Sequence, residues 1–452
     1  MTTHSKQTGC LHMDPKTPTG RHQPSARTGE PEDYHDVIDE LAGKLEAKVI
    51  GIRHDIHENA ELPNREARTA KTISEHLKSL KFDAVHTQVG VHGVVGILKG
   101  GRPGNKVVAL RADFDALPVE ELADVPFKST RVDEDYPGGP FPVSHACGHD
   151  THAAMLMGAA EVLAEMREQI PGTVKFLFQG AEEGPPVGED GGAAMMVKEG
   201  ALEDPKPDVA FAIHSSPFPL NTLYYCKGDA MAASELVKIE VKGMGVHGST
   251  PWMGKDPLTV AAEIIVALAQ IYRQIPATEA ITISIGKVDD SGRFNVIGDN
   301  ITLWGTVRCI HERMMEDVNT RVERIATHVA QAHGLTAEVG FDQRVPAIYN
   351  EPEWVDRFMP TMERLFGHER IRTGPPQLGY DDHSCFQIAC GGVYLFLGGQ
   401  DTKWTETGLE PIDSGRPIPF NHNPHYYVKD EMLKTGVRMH ANVAMDFLNS
   451  HI

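Results

Sequence analysis

Residues 145–183, HACGHDTHAAMLMGAAEVLAEMREQIPGTVKFLFQGAEE, decide the fold because they change from a helical to an extended pattern. The stretch from Thr151 to Met166 predicts a helix, and the apolar run TVKFLFQGA predicts a strand that ends at paired acids. Two more strand-like runs, GVVGIL and KVVALRADFD, precede this stretch and are separated by the turn-forming GGRPGN. Alternating strands and helices predict an α/β fold with a mixed, largely parallel sheet, in which chemistry gathers at the carboxyl ends of strands.

The segment from about Ala233 to Gln343 has a different order of elements. Its pattern is β-α-β-β-α-β, which is typical of a ferredoxin-like sandwich able to bury its own core. We therefore expect residues 233–343 to form a domain inserted into a catalytic domain built from residues 34–232 and 344–452. Residues 1–33 contain few large apolar side chains and predict a disordered N-terminal tail.

Composition excludes several classes of partner. The chain has 452 residues, and 63 acidic against 43 basic side chains give a formal net charge of −20, which would repel nucleic acid and anionic lipid surfaces. No apolar run approaches the roughly 18 residues needed to span a bilayer, and no secretory signal begins the sequence. We therefore expect no nucleic-acid or membrane partner, a cytoplasmic location and reduced cysteines.

Metal-binding residue types cluster in HACGHDTH, residues 145–152. Cys147 and His149 are two residues apart, so a loop could bring both to one centre, and thiolate and imidazole suit zinc or a similar divalent ion. The alternative is a histidine-rich loop with a buried cysteine, which is the commoner meaning of a lone Cys-x-His.

A second cluster is the adjacent pair Glu182 and Glu183, which follows an apolar strand. Two ionised neighbours repel each other, and a metal bound by one of them relieves this repulsion. One carboxylate could then be a ligand while the other acts as general base. An exposed acidic loop is the alternative for this pair, and a structural role is the alternative for His214 and His422, which follow apolar or turn segments.

Seven segments together resemble a known family, the binuclear metallopeptidases and amidohydrolases. In chain order they are RADFDALPVEE, HACGHD, GAEEG, HSSP, KGMGVHGSTPWMGKDP, FNVIGDNITLWGTVR and HNPHYYVKDE. The family contains aminoacylases, hippurate hydrolases, bacterial zinc carboxypeptidases and plant indole-acetyl-amino-acid hydrolases. The similarity runs from about residue 35 to the end and is closest to the amidohydrolase branch, which uses cysteine as a metal ligand.

The resemblance implies roles for particular residues. Glu182 would be the general base, and His247 would stabilise the oxyanion, frequently from across a dimer interface. Asp113 and Asp115 would orient the ligands from beneath, and the remaining implied residues are metal ligands at Cys147, His149, Glu183, His214 and His422, and substrate contacts at Asn295 and Arg308. A structural salt bridge is an equal alternative for Arg308.

The resemblance also implies cofactors and partners. Two divalent metal ions, zinc or manganese with cobalt as a third option, would serve hydrolysis of a small N-acyl amino acid or dipeptide-like substrate. Residues 233–343 would act as a lid and join a homodimer. Amide hydrolysis of N-acyl amino acids or amino-acid conjugates is the leading prediction, with a dipeptidase or carboxypeptidase and a non-catalytic metal-dependent binding protein as alternatives.

The sequence departs from the family pattern at two places. The usual His-x-x-Pro-Glu-Leu appears as HENAEL, residues 57–62, which we expect to change a helix end and not a ligand. The usual Glu-Asp-Phe appears as Asp381, Asp382 and His383, which we expect to affect specificity more than catalysis.

Overall fold

The computed structural model describes residues 33–413 and 415–450. The disordered tail predicted for residues 1–33 therefore lies outside the described part of the chain, except for its last residue, Asp33. The carboxylate of Asp33 accepts a hydrogen bond from the amide of His35 and caps the first helix.

The first part of the chain alternates helices and strands. In order, its elements are α1 (Tyr34–Glu58), α2 (Ala67–Ser79), β1 (Ala84–Val89), β2 (Gly93–Lys99), β3 (Arg102–Asp113), β4 (Arg131–Asp133), β5 (Phe141–Val143), α3 (His149–Glu165), β6 (Pro171–Gln179), α4 (Gly192–Lys198), β7 (Val209–Pro219), β8 (Leu223–Tyr225) and β9 (Gly228–Met231).

The middle and final parts add two further groups of elements. The middle part contains β10 (Ala233–Lys242), β11 (Val246–His247), α5 (Pro257–Leu268), β12 (Ile281–Asp290), β13 (Val296–Ile297), β14 (Asn300–Cys309), α6 (Met315–Ala332) and β15 (Thr336–Val345). The final part contains β16 (Ile348–Asn350), α7 (Pro352–Phe366), β17 (Ile371–Thr373), α8 (Ser384–Cys390), β18 (Gly392–Gln400), β19 (Thr402–Thr405), β20 (Gly408–Pro411) and α9 (Leu433–Asn449).

An eight-stranded sheet in the order β1-β2-β6-β3-β7-β18-β8-β17 forms the larger body. Its central pairs β6–β3, β3–β7 and β7–β18 are parallel, whereas β1, β2 and β8 add antiparallel pairs. The predicted α/β fold with a mixed, largely parallel sheet is confirmed. The parallel pairs place the carboxyl ends of β3 and β6 at the same edge.

Helices cover both faces of this sheet, as the near-continuous apolar strands require. On β6, Val174, Phe176 and Phe178 point into one core with helices α1, α3, α7 and α9. Leu177 points to the opposite face and packs with residues of α4 and α8. The alternation along a single strand therefore builds both cores.

A second, four-stranded antiparallel sheet in the order β12-β14-β10-β15 has its own core. Val237, Ile239 and Leu303 pack on α5 and α6, which cover one face. This order matches the predicted ferredoxin-like arrangement. Its last strand, β15, continues to Val345, two residues beyond the predicted boundary at Gln343. The apolar periodicity of residues 256–275 predicts one long helix, but α5 ends at Leu268 and is followed by the 3₁₀ turn Ile271–Arg273.

A tertiary contact accompanies this early helix end. The hydroxyl of Tyr272 accepts a hydrogen bond from the amide of Ile283 on β12, and Ile271 is buried in the core of the four-stranded sheet. These contacts hold the turn away from the helical path that the periodicity predicted. None of the helices in the described ranges is long and apolar enough to cross a membrane.

Candidate metal centre

The loop before α3 carries two of the predicted ligands. Cys147 lies in the turn and His149 is the first residue of α3, so both side chains start from one short segment. Gly148 between them has a φ of 85°, and a Cβ there would lie 2.3 Å from Oγ of Ser215. Only glycine fits this turn, which therefore fixes the spacing of the two side chains.

Glu182 and Glu183 follow β6 at the carboxyl edge of the large sheet. Nε2 of His149 lies 3.7 Å from Oε2 of Glu182 and 3.8 Å from Oε1 of Glu183. Glu182 is 4% exposed and the side chain of Glu183 is 7% exposed. The alternative of an exposed acidic loop is therefore wrong.

His214 reaches the same centre from within β7. The sequence placed it at a strand end, but β7 continues to Pro219 because Ser215 and Ser216 still pair with β18. Nε2 of His214 lies 3.5 Å from Sγ of Cys147. Its other ring nitrogen, Nδ1, lies 2.6 Å from its neighbour's carbonyl, the O of Ser215, which orients the ring.

His422 arrives from the loop after β20. Its backbone amide donates a hydrogen bond of 2.7 Å to the carbonyl of Ala146, which ties this loop to the turn that holds Cys147. Nε2 of His422 lies 3.1 Å from Oε1 of Glu183. The fold thus brings all five predicted ligands together, although His422 is distant in sequence.

The donor atoms form two overlapping sets. Those of Cys147, His149 and His214 lie within 4.8 Å of one another, and so do those of Cys147, Glu183 and His422. Nε2 of His149 is buried and has no hydrogen-bond partner among the described residues. A buried ring nitrogen without a partner beside a thiol and carboxylates fits a divalent metal ion, and the sharing of Cys147 fits two of them.

Two aspartates lie beneath these donors and contact them, as predicted for Asp113 and Asp115. Oδ1 of Asp115 lies 3.1 Å from Nδ1 of His149, and its Oδ2 accepts a hydrogen bond of 3.0 Å from the amide of Glu183. Asp113 lies 3.8 Å from the same Nδ1 of His149. Contacts of this kind fix the tautomer and orientation of a ligand histidine.

The pKa values of the two adjacent glutamates are shifted in opposite directions. Burial, followed by the carboxylates of Asp381 and Glu183, raises the pKa of Glu182 well above its usual value. Burial would also raise the pKa of Glu183, but His422 at 3.1 Å outweighs it and lowers that pKa to about 2. Neighbouring groups whose environments push their pKa values apart commonly take different roles in proton transfer.

The Cys147 thiol is favoured as a thiolate. Burial and the Glu183 carboxylate would raise its pKa, but His214, His422 and His149 outweigh them and lower it to about 6. The thiolate is the form of cysteine that binds metal ions.

A cavity of about 440 Å³ opens between the two sheets beside this cluster. Its lining includes Glu182, Tyr380 and the Gly184–Gly192 loop from the large domain, and Arg308 and Thr306 from β14. Nη1 of Arg308 donates to the carbonyl of Leu378, and its guanidinium lies 4.9 Å from the ring centre of Tyr380. No ion pair joins Arg308 to an acid within the described residues, so its predicted structural salt bridge is absent there. The volume is typical of small-molecule sites.

His247 and Asn295 lie elsewhere on the four-stranded sheet's domain. They are brought together by the short β11–β13 pair, where the amide of Gly248 donates to the carbonyl of Asn295. Both residues are exposed. Within the part of the chain that the structure describes, no hydrogen bond or ion pair joins either side chain to the metal-binding cluster. Any contact of His247 with a metal centre must therefore come from a movement or from another molecule.

Comparison with known proteins identifies the family of this arrangement. Residues 109–446 match the family model described as Peptidase family M20/M25/M40. The chain belongs to this M20 family. The resemblance predicted from the sequence is confirmed.

Individual relatives of the M20 family cover nearly the whole chain. Thermostable carboxypeptidase 2 of Saccharolobus solfataricus is 36% identical over 92% of this chain and 100% of its own length. Hippurate hydrolase of Campylobacter jejuni is 32% identical over 90% of this chain and 98% of its own length. The solved structure of a dinuclear metal-binding M20 peptidase from Bacillus subtilis is 26% identical, with a TM-score of 0.69 over 90% of this chain and 99% of that one.

As an M20 protein, the chain is a metal-dependent hydrolase of amide or peptide bonds. The M20 peptidase from Bacillus subtilis binds metal as a dinuclear centre, and the two overlapping donor sets of this chain agree with such a centre. The alternative of a non-catalytic binding protein is not supported, because the M20 relatives are hydrolases.

His152 on α3 contacts residues of the M20 site, although the sequence motifs did not single it out. Its Nδ1 lies 2.5 Å from Oδ1 of Asp113, and its Nε2 accepts a hydrogen bond from the amide of Ser215. The signal was present in HDTH: His149 and His152 are three residues apart, so they lie on one face of a helix.

Arg111 is a second residue that the sequence motifs did not single out, and it is 1% exposed. Its guanidinium lies 2.6 Å from Asp113, 3.0 Å from Asp381 and 3.3 Å from Asp382. In KVVALRADFD, the alternation of side chains along the strand directs Arg111 into the protein interior. A buried cation requires anionic partners. Only the fold shows which acids those are.

Asp381, Asp382 and His383, which differ from the family's usual Glu-Asp-Phe, therefore have partly structural roles. Both aspartates pair with Arg111, and Asp382 also accepts a hydrogen bond of 2.6 Å from the amide of Ala193 and lines the cavity. His383 is fully buried, and neither ring nitrogen has a hydrogen-bond partner within the described residues. Its ring packs 5.8 Å from Tyr394, so it occupies the position of the family's phenylalanine as an aromatic side chain.

Proposed function

We propose that the protein hydrolyses the amide bond of N-acyl amino acids or amino-acid conjugates. The observation that carries this proposal is the shared cavity of about 440 Å³, which both Arg308 and Glu182 line. A guanidinium without an acidic partner is a rigid fork of donors suited to a substrate carboxylate. A small acid held there would place its amide near Glu182.

The metal ligands in this proposal are Cys147, His149, Glu183, His214 and His422. One ion would bind to Cys147, His149 and His214 and the second to Cys147, Glu183 and His422, with the thiolate shared. When bound, such ions supply Lewis acidity, which favours deprotonation of water and polarises a carbonyl. Zinc, manganese and cobalt are all compatible with these donors.

The chain's own residues would perform the proton transfers. Glu182 would accept a proton from the attacking water and pass it to the departing amine; its Oε2 lies 3.7 Å from Nε2 of the proposed ligand His149. Glu183 would remain ionised because the bound metal ion would stabilise its carboxylate. Arg308 would hold the substrate carboxylate throughout, and His247 would donate to the developing oxyanion.

We also propose that residues 233–343 form a lid that joins two copies of the chain. His247 and Asn295 lie beside exposed apolar side chains, with Phe294 89% exposed and Trp252 76% exposed. An exposed apolar surface of this kind favours contact with another protein, and a second copy would bring His247 to a neighbouring cavity. The cytoplasmic location remains a prediction.

Sedimentation velocity tests the proposed dimer. Wild-type protein should sediment as a dimer, and the double variant Phe294→Asp, Trp252→Asp should sediment as a monomer with normal metal content and reduced activity. A wild-type monomer with full activity would contradict the proposal.

A dipeptidase or carboxypeptidase activity is the second candidate. The carboxylates of Asp190 and Asp342 also line the cavity, and no ion pair joins either to a base in the described ranges. They could attract the free amino group of a peptide. The similarity to a carboxypeptidase, the highest in identity of the relatives above, supports the same candidate.

A substrate panel decides between the two candidates. N-acetyl, N-benzoyl and indole-acetyl amino acids should be hydrolysed with higher kcat/KM than dipeptides with a free amino group, in each of zinc, manganese and cobalt. Comparing one dipeptide with its N-acylated form isolates the effect of the free ammonium group on kcat/KM. A preference for the free amine would favour the second candidate, and turnover of neither class would contradict both.

A further inference from the structure

The turn that carries Glu182 has a conformation that its sequence does not favour. Ala181, the residue before Glu182, has a φ of 54°, in the left-handed region that residues with a Cβ rarely adopt. The position is 1% exposed and follows directly after β6 and Gly180. A disfavoured backbone conformation persists only when surrounding contacts hold it, and such positions concentrate at functional sites.

Glu66 supplies one of these contacts. It is 0% exposed and stands immediately before α2. Its Oε1 accepts a hydrogen bond of 2.7 Å from the amide of Ala181. The same oxygen would lie 2.9 Å from a Cβ at position 180, so glycine is needed there for the carboxylate to approach the turn.

A second buried carboxylate acts on the other side of Glu182. Oδ2 of Asp115 accepts a hydrogen bond of 3.0 Å from the amide of Glu183. The amides on either side of Glu182 are therefore each fixed by a buried acid, one from the α2 end and one from the β3 end. Asp115 also contacts His149, whereas Glu66 makes no hydrogen bond or ion pair with a proposed metal-ligand side chain in the described ranges.

We propose that Glu66 is a positioning residue for catalysis: by holding the amide of Ala181, it maintains the left-handed turn that aims the carboxylate of Glu182 at the metal centre. This inference rests on the proposed role of Glu182 as general base. Glu66 touches neither substrate nor metal and acts through the backbone. The orientation of a base affects turnover strongly, since small displacements of reacting groups reduce rates by up to about 100-fold.

Three variants separate positioning from general stability. Glu66→Ala removes the acceptor, whereas Glu66→Gln keeps a side-chain oxygen at the same reach. Glu61→Ala is the matched control, because the Glu61 carboxylate accepts hydrogen bonds from the amides of Arg68 and Thr69 at the start of α2 but does not contact the turn. It weakens the same helix without releasing Ala181.

The expected kinetic result is a split between kcat and KM. Glu66→Ala should lower kcat about 10- to 100-fold with KM and metal content near wild type, and Glu66→Gln should restore most of the loss. Glu61→Ala should lower thermal stability with kcat near wild type. Near-normal kcat in Glu66→Ala, or equal losses in Glu66→Ala and Glu61→Ala, would overturn the proposal.

Hydrogen–deuterium exchange gives a readout that does not depend on activity. The peptide containing Ala181 should exchange faster in Glu66→Ala than in wild type, Glu66→Gln or Glu61→Ala, because only the first variant frees its amide. Unchanged exchange in Glu66→Ala would overturn the proposal even if activity falls. If the protein hydrolyses no amide, or Glu182→Gln keeps full activity, the proposed function fails, and the exchange result still decides whether Glu66 holds the turn.

Discussion

Replacing Glu182 with glutamine should lower kcat by about 10²- to 10⁴-fold, the range expected for loss of a general base. The amide cannot accept the proton of the attacking water, yet it has nearly the same shape as the carboxylate. Metal content, measured by mass spectrometry of the purified protein, should stay at the wild-type level, because Glu183 and not Glu182 is the proposed ligand.

A matched control for this variant is Glu203→Gln, the same change at an exposed position away from the cavity. It should leave both kcat and metal content unchanged. Near-normal turnover by Glu182→Gln would assign the base to another residue. Loss of metal together with activity would indicate that Glu182 is itself a ligand.

Replacing Cys147 with serine should remove metal from both proposed positions. Cys147 belongs to both donor sets, and its lowered pKa favours the thiolate. A serine hydroxyl is a far weaker ligand than a thiolate. Partners that merely orient a ligand change metal affinity or activity by about 10- to 100-fold, so loss of a shared ligand should exceed that range. Isothermal titration with zinc or manganese, alongside steady-state kinetics, measures both effects.

Cys226→Ser is the control for this second variant. Cys226 is also buried, but its thiol donates to the backbone carbonyls of Gly374 and Pro375 in an apolar cluster, and a serine hydroxyl can donate to the same carbonyls. It should bind metal normally. A Cys147→Ser protein that still binds two ions with wild-type affinity would show that the thiolate is not the shared ligand.

Local patterns predicted most of the fold. The strand β6 and the helix α3 were predicted because apolar runs and apolar periodicity act within a few residues, although α3 begins at His149, two residues before the predicted Thr151. The end of α5 at Leu268 was not readable, because Tyr272 and Ile271 are held by contacts with distant parts of the chain. Periodicity describes which face is buried and not where a tertiary contact stops a helix.

The candidate site divides in the same way. Short motifs marked Cys147, His149 and the Glu182–Glu183 pair as candidates, and His214 and His422 followed apolar or turn segments, but the choice of Glu183 as ligand came from the family resemblance. The acids around Arg111 could not be assigned, since Asp381 and Asp382 are 270 and 271 positions away along the chain. Glu66 was missed for another reason: its partner is a backbone amide, and no side-chain pattern records that contact.

The most direct test of the central claim is a crystal structure of the metal-loaded protein with anomalous diffraction at the zinc or manganese edge. We expect two anomalous peaks on either side of Sγ of Cys147, one near His149 and His214 and the other near Glu183 and His422. A single peak, or peaks that these five side chains do not contact, would contradict the account.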